Sequence, residues 1–231
     1  QASVLSRRLY ELGADVVEFP TIAITKLPEL SPLHNALNRL HDYDWIVFTS
    51  QNAVSIFFEE LFALGLDARS LRCKVAAIGP ATRDALRAYA VVADLMPQEY
   101  VAESLVDAFK GVDIEGKKIL VPCSVKARAA LTQGLQQAGA QVERVHIYDA
   151  TRPEVTPAML QQVQNADIIT FTSSSTVRNF VELAGTTTAT VACIGPITAD
   201  ECIKQGLSPH IIAKEYTIEG LVQAILEYFT G

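Results

Sequence analysis

The 231-residue sequence predicts an α/β protein built from two similar parallel-sheet domains with a cleft between them. Three observations carry that reading. Asp44-Trp45-Ile46-Val47-Phe48-Thr49-Ser50 returns as Asp167-Ile168-Ile169-Thr170-Phe171-Thr172-Ser173, and Ile78-Gly79-Pro80 returns as Ile194-Gly195-Pro196. At an offset of 116 residues, thirteen positions from Val75 to Ala108 meet their own residue type, among them Gly79, Pro80, Thr82, Asp84, Glu99, Tyr100 and Leu105. Short apolar runs alternate with amphipathic ones throughout, which is the pattern of a parallel sheet with helical crossovers.

The elements follow in order. A block containing Leu5, Leu9, Gly13, Ala14 and Val16 reappears as Leu131, Leu135, Gly139, Ala140 and Val142. The later copy is preceded by Lys118-Ile119-Leu120-Val121-Pro122, a buried-strand pattern with no counterpart ahead of Gln1, so the sequence is expected to lack its first strand. Residues 45–49, 74–78, 118–122, 168–171 and 190–194 read as short buried strands. Each leads into a helical pattern. Ser50 or Asn52 precedes residues 54–62, Pro80 opens 81–90, and Ser104 stands near the start of 105–109. Ser174 or Ser175 precedes 177–184, and Pro196 opens 197–205. Gly65, Gly139, Gly185 and Gly206 occupy helix C-cap positions.

Two extended, Pro-ended segments, 18–28 and 144–153, resemble one another and are expected to form a two-stranded antiparallel linker. Residues 1–20 with 153–231 would then form one discontinuous α/β domain, and 26–146 an inserted one, both flavodoxin-like.

Composition excludes several classes. The formal charge is −7 and no stripe of Lys and Arg interleaved with aromatics occurs, which argues against nucleic-acid binding. No apolar run approaches the roughly eighteen residues of a membrane span. The start has no signal-peptide pattern, so cytoplasmic location is the expectation, with a monomer as the default state. Cys73, Cys123, Cys193 and Cys202 lack CxxC spacing and fall mostly in apolar runs, which suits buried inert thiols better than zinc ligands or disulfides. His34, His41, His146 and His210 are not grouped at metal-ligand spacing. Dinucleotide, P-loop, hydrolase-elbow and zincin motifs are absent.

Chemistry is expected where each copy presents Phe-Thr-Ser at the end of one strand and Ile-Gly-Pro-x-Thr at the end of the next, because ligands of open α/β sheets bind at the carboxyl ends of strands. Hydroxyls of Thr49, Ser50, Thr82, Ser173, Ser174, Ser175 and Thr198, the Asn52 amide and the helix N-termini at Gly195-Pro196 offer hydrogen bonds to an anionic ligand without many cations. The same residues also suit plain helix capping. Tyr148, in the later linker segment, can donate a proton to a leaving group, or can simply pack in a two-stranded ladder. Arg128 and Lys126 either supply local positive charge or belong to a solvated helix face.

The doubled Phe-Thr-Ser and Ile-Gly-Pro-x-Thr blocks, the Ile147-Tyr148 pair and the ending Ala213-Lys214-Glu215-Tyr216-Thr217-Ile218-Glu219-Gly220-Leu221-Val222 resemble the uroporphyrinogen-III synthase family over essentially the whole sequence. The family usually has a strand ending in an Arg-Pro pair just before the helix that begins here at Gln1, and that arginine is not assigned to a residue of this sequence. The resemblance implies an enzyme without cofactors that closes hydroxymethylbilane, a linear tetrapyrrole rich in carboxylates, to uroporphyrinogen III with inversion of ring D and loss of water. An azafulvene and then a spiro intermediate are implied, the pyrrole nitrogens supplying the electron push. Tyr148 matches the family's functional tyrosine, which assists departure of the hydroxyl. Ser173 and Thr198 fall on cleft positions, with Thr49, Ser50 and Thr82 as their repeat partners. The partners implied are the substrate and a transient hand-over from the preceding pathway enzyme. Two slim crossings would leave the lobes free to hinge and close on substrate. The alternative is a non-catalytic two-lobed small-molecule binding protein. A transferase on a nucleotide-linked donor would need a phosphate loop or acidic metal pair, which the sequence lacks.

Overall fold

A computed structural model describes residues 2–230, with the side chains of Ala2 and Ser3 outside the description. The sequence-level readings that include Gln1 therefore lie in part outside the described residues. The chain divides into two compact units, one running up to Ala23 and resuming at Arg152, the other spanning Ile24–Thr151.

Chain order runs α1 (Ala2–Glu11), β1 (Ala23–Lys26), α2 (Ser31–Leu37), β2 (Trp45–Phe48), α3 (Gln51–Ala63), β3 (Lys74–Ala77), α4 (Pro80–Ala88), α5 (Ala102–Phe109), β4 (Lys118–Ser124) and α6 (Ala130–Gln137). It continues through β5 (Gln141–Thr151), α7 (Pro157–Gln164), β6 (Ile168–Phe171), α8 (Ser174–Ala184), β7 (Thr190–Cys193), α9 (Pro196–Lys204), β8 (Pro209–Ile212) and α10 (Ile218–Thr230).

In the Ile24–Thr151 unit a five-stranded sheet has the order β1-β5-β4-β2-β3. β2 pairs in parallel with β3 and β4, and β4 with β5. All four residues of β2 are buried, because helices cover both faces of a parallel sheet. Period-two alternation sorts them: Ile46 and Phe48 join a core with α2 and α3, whereas Trp45 and Val47 join a second core with α5 and α6. Edge-to-face aromatic pairs fix both, Phe48 on Phe57 at 5.2 Å and Trp45 on Phe109 at 5.0 Å between centroids. Trp45 faces both Lys74 and Ile119, so these strands run flush and end at one edge.

The other unit repeats the plan on a smaller scale, with parallel β6-β7-β8. Val191 and Cys193 face a core with Phe171, Phe180 and Cys202, while Ala192 faces one with Leu5, Leu221 and Ile225. The Arg8 guanidinium forks onto Glu219 with two 3.0 Å bonds, joining α1 to α10.

Five strands expected from the sequence form, with ends shifted by up to two residues. The largest extension is β4, which runs on from Pro122 to Ser124. Gly65 and Gly206 follow α3 and α9 with φ of +73° and +79°, as left-handed C-caps require. Three features differ from the sequence reading. The segment read as a separate linker, 144–153, is continuous with the preceding residues as the eleven-residue β5, because Val145 and Ile147 keep the inward alternation that pairs with β4. Within the earlier segment, 18–28, only Ala23–Lys26 is strand, lying beside β5 at the sheet edge. β8 is an unforeseen strand, hidden by its opening Pro209 and brevity. Among the described residues no helix is long and apolar enough to cross a membrane.

Candidate active site

The flush carboxyl ends of the larger sheet open a cavity of about 290 Å³ within the Ile24–Thr151 unit. Thr49 follows β2, Ile78 follows β3 and Ser124 closes β4, and all three line it with Arg128, Arg144 and Tyr148. The position is where open α/β sheets take ligands.

Tyr148 arrives from β5. The residue is 7% exposed, with the ring in the core shared by Phe48 and Phe57. Its hydroxyl lies 2.8 Å from Ser50 Oγ. Ser50 is the N-cap of α3 and accepts the Ala53 amide at 3.1 Å. Either hydroxyl can donate in this pair, and where Ser50 gives its proton to the phenol oxygen the phenol O–H is left for another acceptor. A register slip between Cys123 and Ser124 pairs Ser124 with Tyr148, and the Val125 amide donates to the Tyr148 carbonyl at 2.9 Å. Such a slip turns the β4 end toward the cavity.

Cations gather here although the protein is acidic. Arg144 donates through Nε to Cys123 Sγ at 3.4 Å and through Nη2 to the Ala127 carbonyl, shaping the loop that carries Arg128. Lys126 Nζ donates to the Ala150 carbonyl at 2.6 Å and stands 3.6 Å from Asp149 Oδ1. That carboxylate oxygen is buried and has no hydrogen-bond partner. Among the described residues Arg128 has neither an ion-pair nor a hydrogen-bond partner. Three cations against one carboxylate leave a local positive field suited to an anionic ligand.

The remaining expected residues of this unit lie apart from the cavity lining. Asn52 sits half-buried in the first turn of α3, and Thr82 is 3% exposed in the first turn of α4. In the other unit Ser173 caps α8, accepting the Thr176 amide at 3.3 Å, with the Ser175 and Thr176 hydroxyls at 3.0 and 2.8 Å. Ser174 Oγ donates to the Ile197 carbonyl at 3.3 Å, tying the start of α8 to that of α9. Gly195 is the N-cap of α9 and Pro196 its first residue, while Thr198 is 5% exposed. Ser173 and Ser50 are thus equivalent caps with different second partners, hydroxyls of its own helix for one and the Tyr148 phenol for the other.

Arg144, Cys123 and Ser124 were missed by sequence reasoning. The alternation of β5 with β4 is the signal that could have placed Arg144 in the sheet.

A family model described as uroporphyrinogen-III synthase HemD matches residues 3–223. The chain belongs to the uroporphyrinogen-III synthase family. It is 34% identical over 242 aligned residues to uroporphyrinogen-III synthase of Synechococcus elongatus, covering 99% of this chain and 91% of that protein. It is 25% identical over 239 residues to uroporphyrinogen-III synthase of Chlorobaculum parvum, covering 98% and 94%. Solved structures share the fold: a mutant uroporphyrinogen III synthase from the extremely thermophilic bacterium Thermus thermophilus superposes with a TM-score of 0.60 at 17% identity, over 99% of this chain and 95% of that one. The Helicobacter pylori uroporphyrinogen-III synthetase gives 0.59 at 19% identity over 90% of each. Uroporphyrinogen-III synthases are cyclising lyases of porphyrin biosynthesis, which disfavours the non-catalytic reading.

Proposed function

We propose that this chain closes hydroxymethylbilane to uroporphyrinogen III, with Tyr148 assisting the first step. The observation that carries the assignment of the chemistry is the Tyr148 hydroxyl held by Ser50 beside a cavity with three cations.

The substrate's terminal hydroxymethyl C–O bond breaks as the adjacent pyrrole nitrogen pushes electrons into the ring. The hydroxyl leaves as water after accepting a proton, for which the phenol is the donor. The resulting azafulvene is attacked by the substituted carbon of ring D. The spiro intermediate fragments to a new azafulvene, which recloses with ring D inverted, and loss of a proton restores the aromatic pyrrole. No step needs an outside electron carrier, so the reading requires no cofactor. What the protein must supply is one held conformer and a proton donor.

The carboxylates divide between two kinds of group. Lys126, Arg128 and the Thr49 hydroxyl serve in one unit, and the Ser173, Ser174 and Ser175 hydroxyls with the Gly195-Pro196 helix start serve in the other. The doubled sequence supports giving both strand-end edges to one substrate, bound between two domains joined by β1 and the end of β5 as an antiparallel linker and free to hinge. Asn52, Thr82 and Thr198, in the first turns of the same helices, belong with this substrate-binding set. The enzyme works as a cytoplasmic monomer that receives its unstable substrate from the preceding pathway enzyme.

The test is to add the protein to freshly generated hydroxymethylbilane, oxidise, and separate uroporphyrins I and III by chromatography. Predominant isomer III supports the assignment. Isomer I alone, the product of spontaneous closure, overturns it.

A further inference from the structure

Each Ile-Gly-Pro turn carries an exposed tyrosine laid on its glycine. A Cβ built on Gly195 would stand 2.9 Å from Tyr216 Cδ1 and 3.3 Å from its Cγ, and one on Gly79 would stand 3.2 Å from both Cβ and Cγ of Tyr100. The glycines have φ of 176° and −169°, extended values that any residue adopts, so it is the close ring and not the backbone conformation that a side chain here would have to displace. The two pairs are equivalent in the duplication, each 116 residues apart.

Neither ring is there to fill a core. Tyr100 is 57% exposed and Tyr216 67% exposed. Neither hydroxyl has a hydrogen-bond partner among the described residues, and Tyr100 lies near enough to the Arg83 guanidinium to favour its charge. Both rings stand at strand-end edges. Ile78, just before Gly79, and Ala102, two residues after Tyr100, line the active-site cavity. On the other unit Gly195 caps α9, whose Ile197 carbonyl receives Ser174. A tyrosine fixed by close backbone contact keeps a flat face and a free donor in place at low entropic cost.

We propose that Tyr100 and Tyr216 are a pair of positioning residues, each laying an aromatic face against a pyrrole ring of the bound tetrapyrrole and offering its hydroxyl to a side-chain carboxylate. This rests on the synthase reading. Pyrroles offer ring faces and edges to an aromatic partner, and their acidic side chains accept hydrogen bonds, so one residue type meets both needs. The pair holds the conformer that commits the substrate to ring inversion, and takes no part in bond breaking.

The experiment compares Tyr100→Leu, Tyr216→Leu, the double variant and the matching Phe variants. Three readouts are used: KM and kcat for hydroxymethylbilane, the ratio of isomer III to isomer I, and the Kd for uroporphyrin III, which needs no turnover. The expected result is a rise in KM and Kd of about two- to tenfold for each Leu. The double variant should multiply these effects and release more isomer I, while kcat stays within about twofold. The Phe variants should recover the part due to the ring. KM and Kd unchanged in both Leu variants, or a fall in Tm without a change in Kd, would overturn the proposal and leave the rings a packing role. If the unaltered protein forms no isomer III, the synthase reading fails first. Unchanged uroporphyrin binding in the Leu variants would then sink the pair as well, and weakened binding would keep it as a tetrapyrrole site.

Discussion

The Tyr148 hydroxyl lies 2.8 Å from Ser50 Oγ, joining β5 to the cap of α3 across 98 residues of sequence. One serine therefore has two tasks, satisfying the Ala53 amide and orienting the phenol. Ser50→Ala is expected to cost about 1 kcal/mol of stability through the lost cap. It should also lower kcat more than it raises KM, because the phenol proton loses its fixed direction. Urea titration and steady-state kinetics check this; unchanged kcat would make the Ser50 contact a capping interaction alone.

Arg128 has no partner among the described residues and faces the cavity. Its removal should leave the fold intact, since surface changes of this kind fall within about 0.5 kcal/mol. Arg128→Gln is predicted to raise KM about threefold or more and to weaken the salt dependence of KM, as loss of a charge-assisted contact implies. Initial rates at two ionic strengths decide it, and a KM equal to the parent's would return Arg128 to the solvated face.

A buried carboxylate couples the extended β1 to the helices behind it. Glu60 is 8% exposed and takes His34 Nε2 at 2.6 Å and Lys26 Nζ at 2.7 Å. These two hydrogen bonds, His34 the larger, hold its carboxyl below the ordinary value of 4.5. A depressed folded value means the contribution is full above the unfolded value and is lost as pH falls from about 4.5 through the folded one. Glu60→Gln should therefore destabilise the protein at neutral pH and converge on the parent in acid. Thermal melts between neutral pH and the acid limit test this, and a constant gap across that range would refute the linkage.

The thiols are expected to be quiet. Cys193 and Cys202 are fully buried with sulfurs 3.5 Å apart, and the neighbouring sulfur and burial together raise the Cys193 thiol well above its ordinary value. Burial pushes half-buried Cys73 up to about 11. Iodoacetamide at neutral pH should label the native protein slowly and the denatured protein at all four cysteines. Rapid native labelling at Cys73, read by mass spectrometry, would contradict this.

Much of the fold was legible because parallel strands are short apolar runs with clear ends. β6 coincides with its expected range since Asp167 and Thr172 bound four residues, and β2 differs only by Thr49. β8 escaped because a proline opens it, and β5 was divided because charged residues at 143 and 144 masked an alternation that only pairing with β4 reveals. In the site, Tyr148 was visible but Ser50 as its partner was not, since hydrogen bonds across a fold leave no spacing to read. Thr82 and Thr198 stand at the third position of their helices and are as buried as Tyr148.

The most direct test of the account is the rate of uroporphyrinogen III formation by the parent protein and by Tyr148→Phe, measured side by side against spontaneous closure. The account predicts dominant isomer III from the parent and a kcat lower by about 10²-fold in the variant, the low end for a lost proton donor. The enzymatic product of the variant should still be isomer III. Parent protein that yields only isomer I, or a variant as fast as the parent, would contradict it.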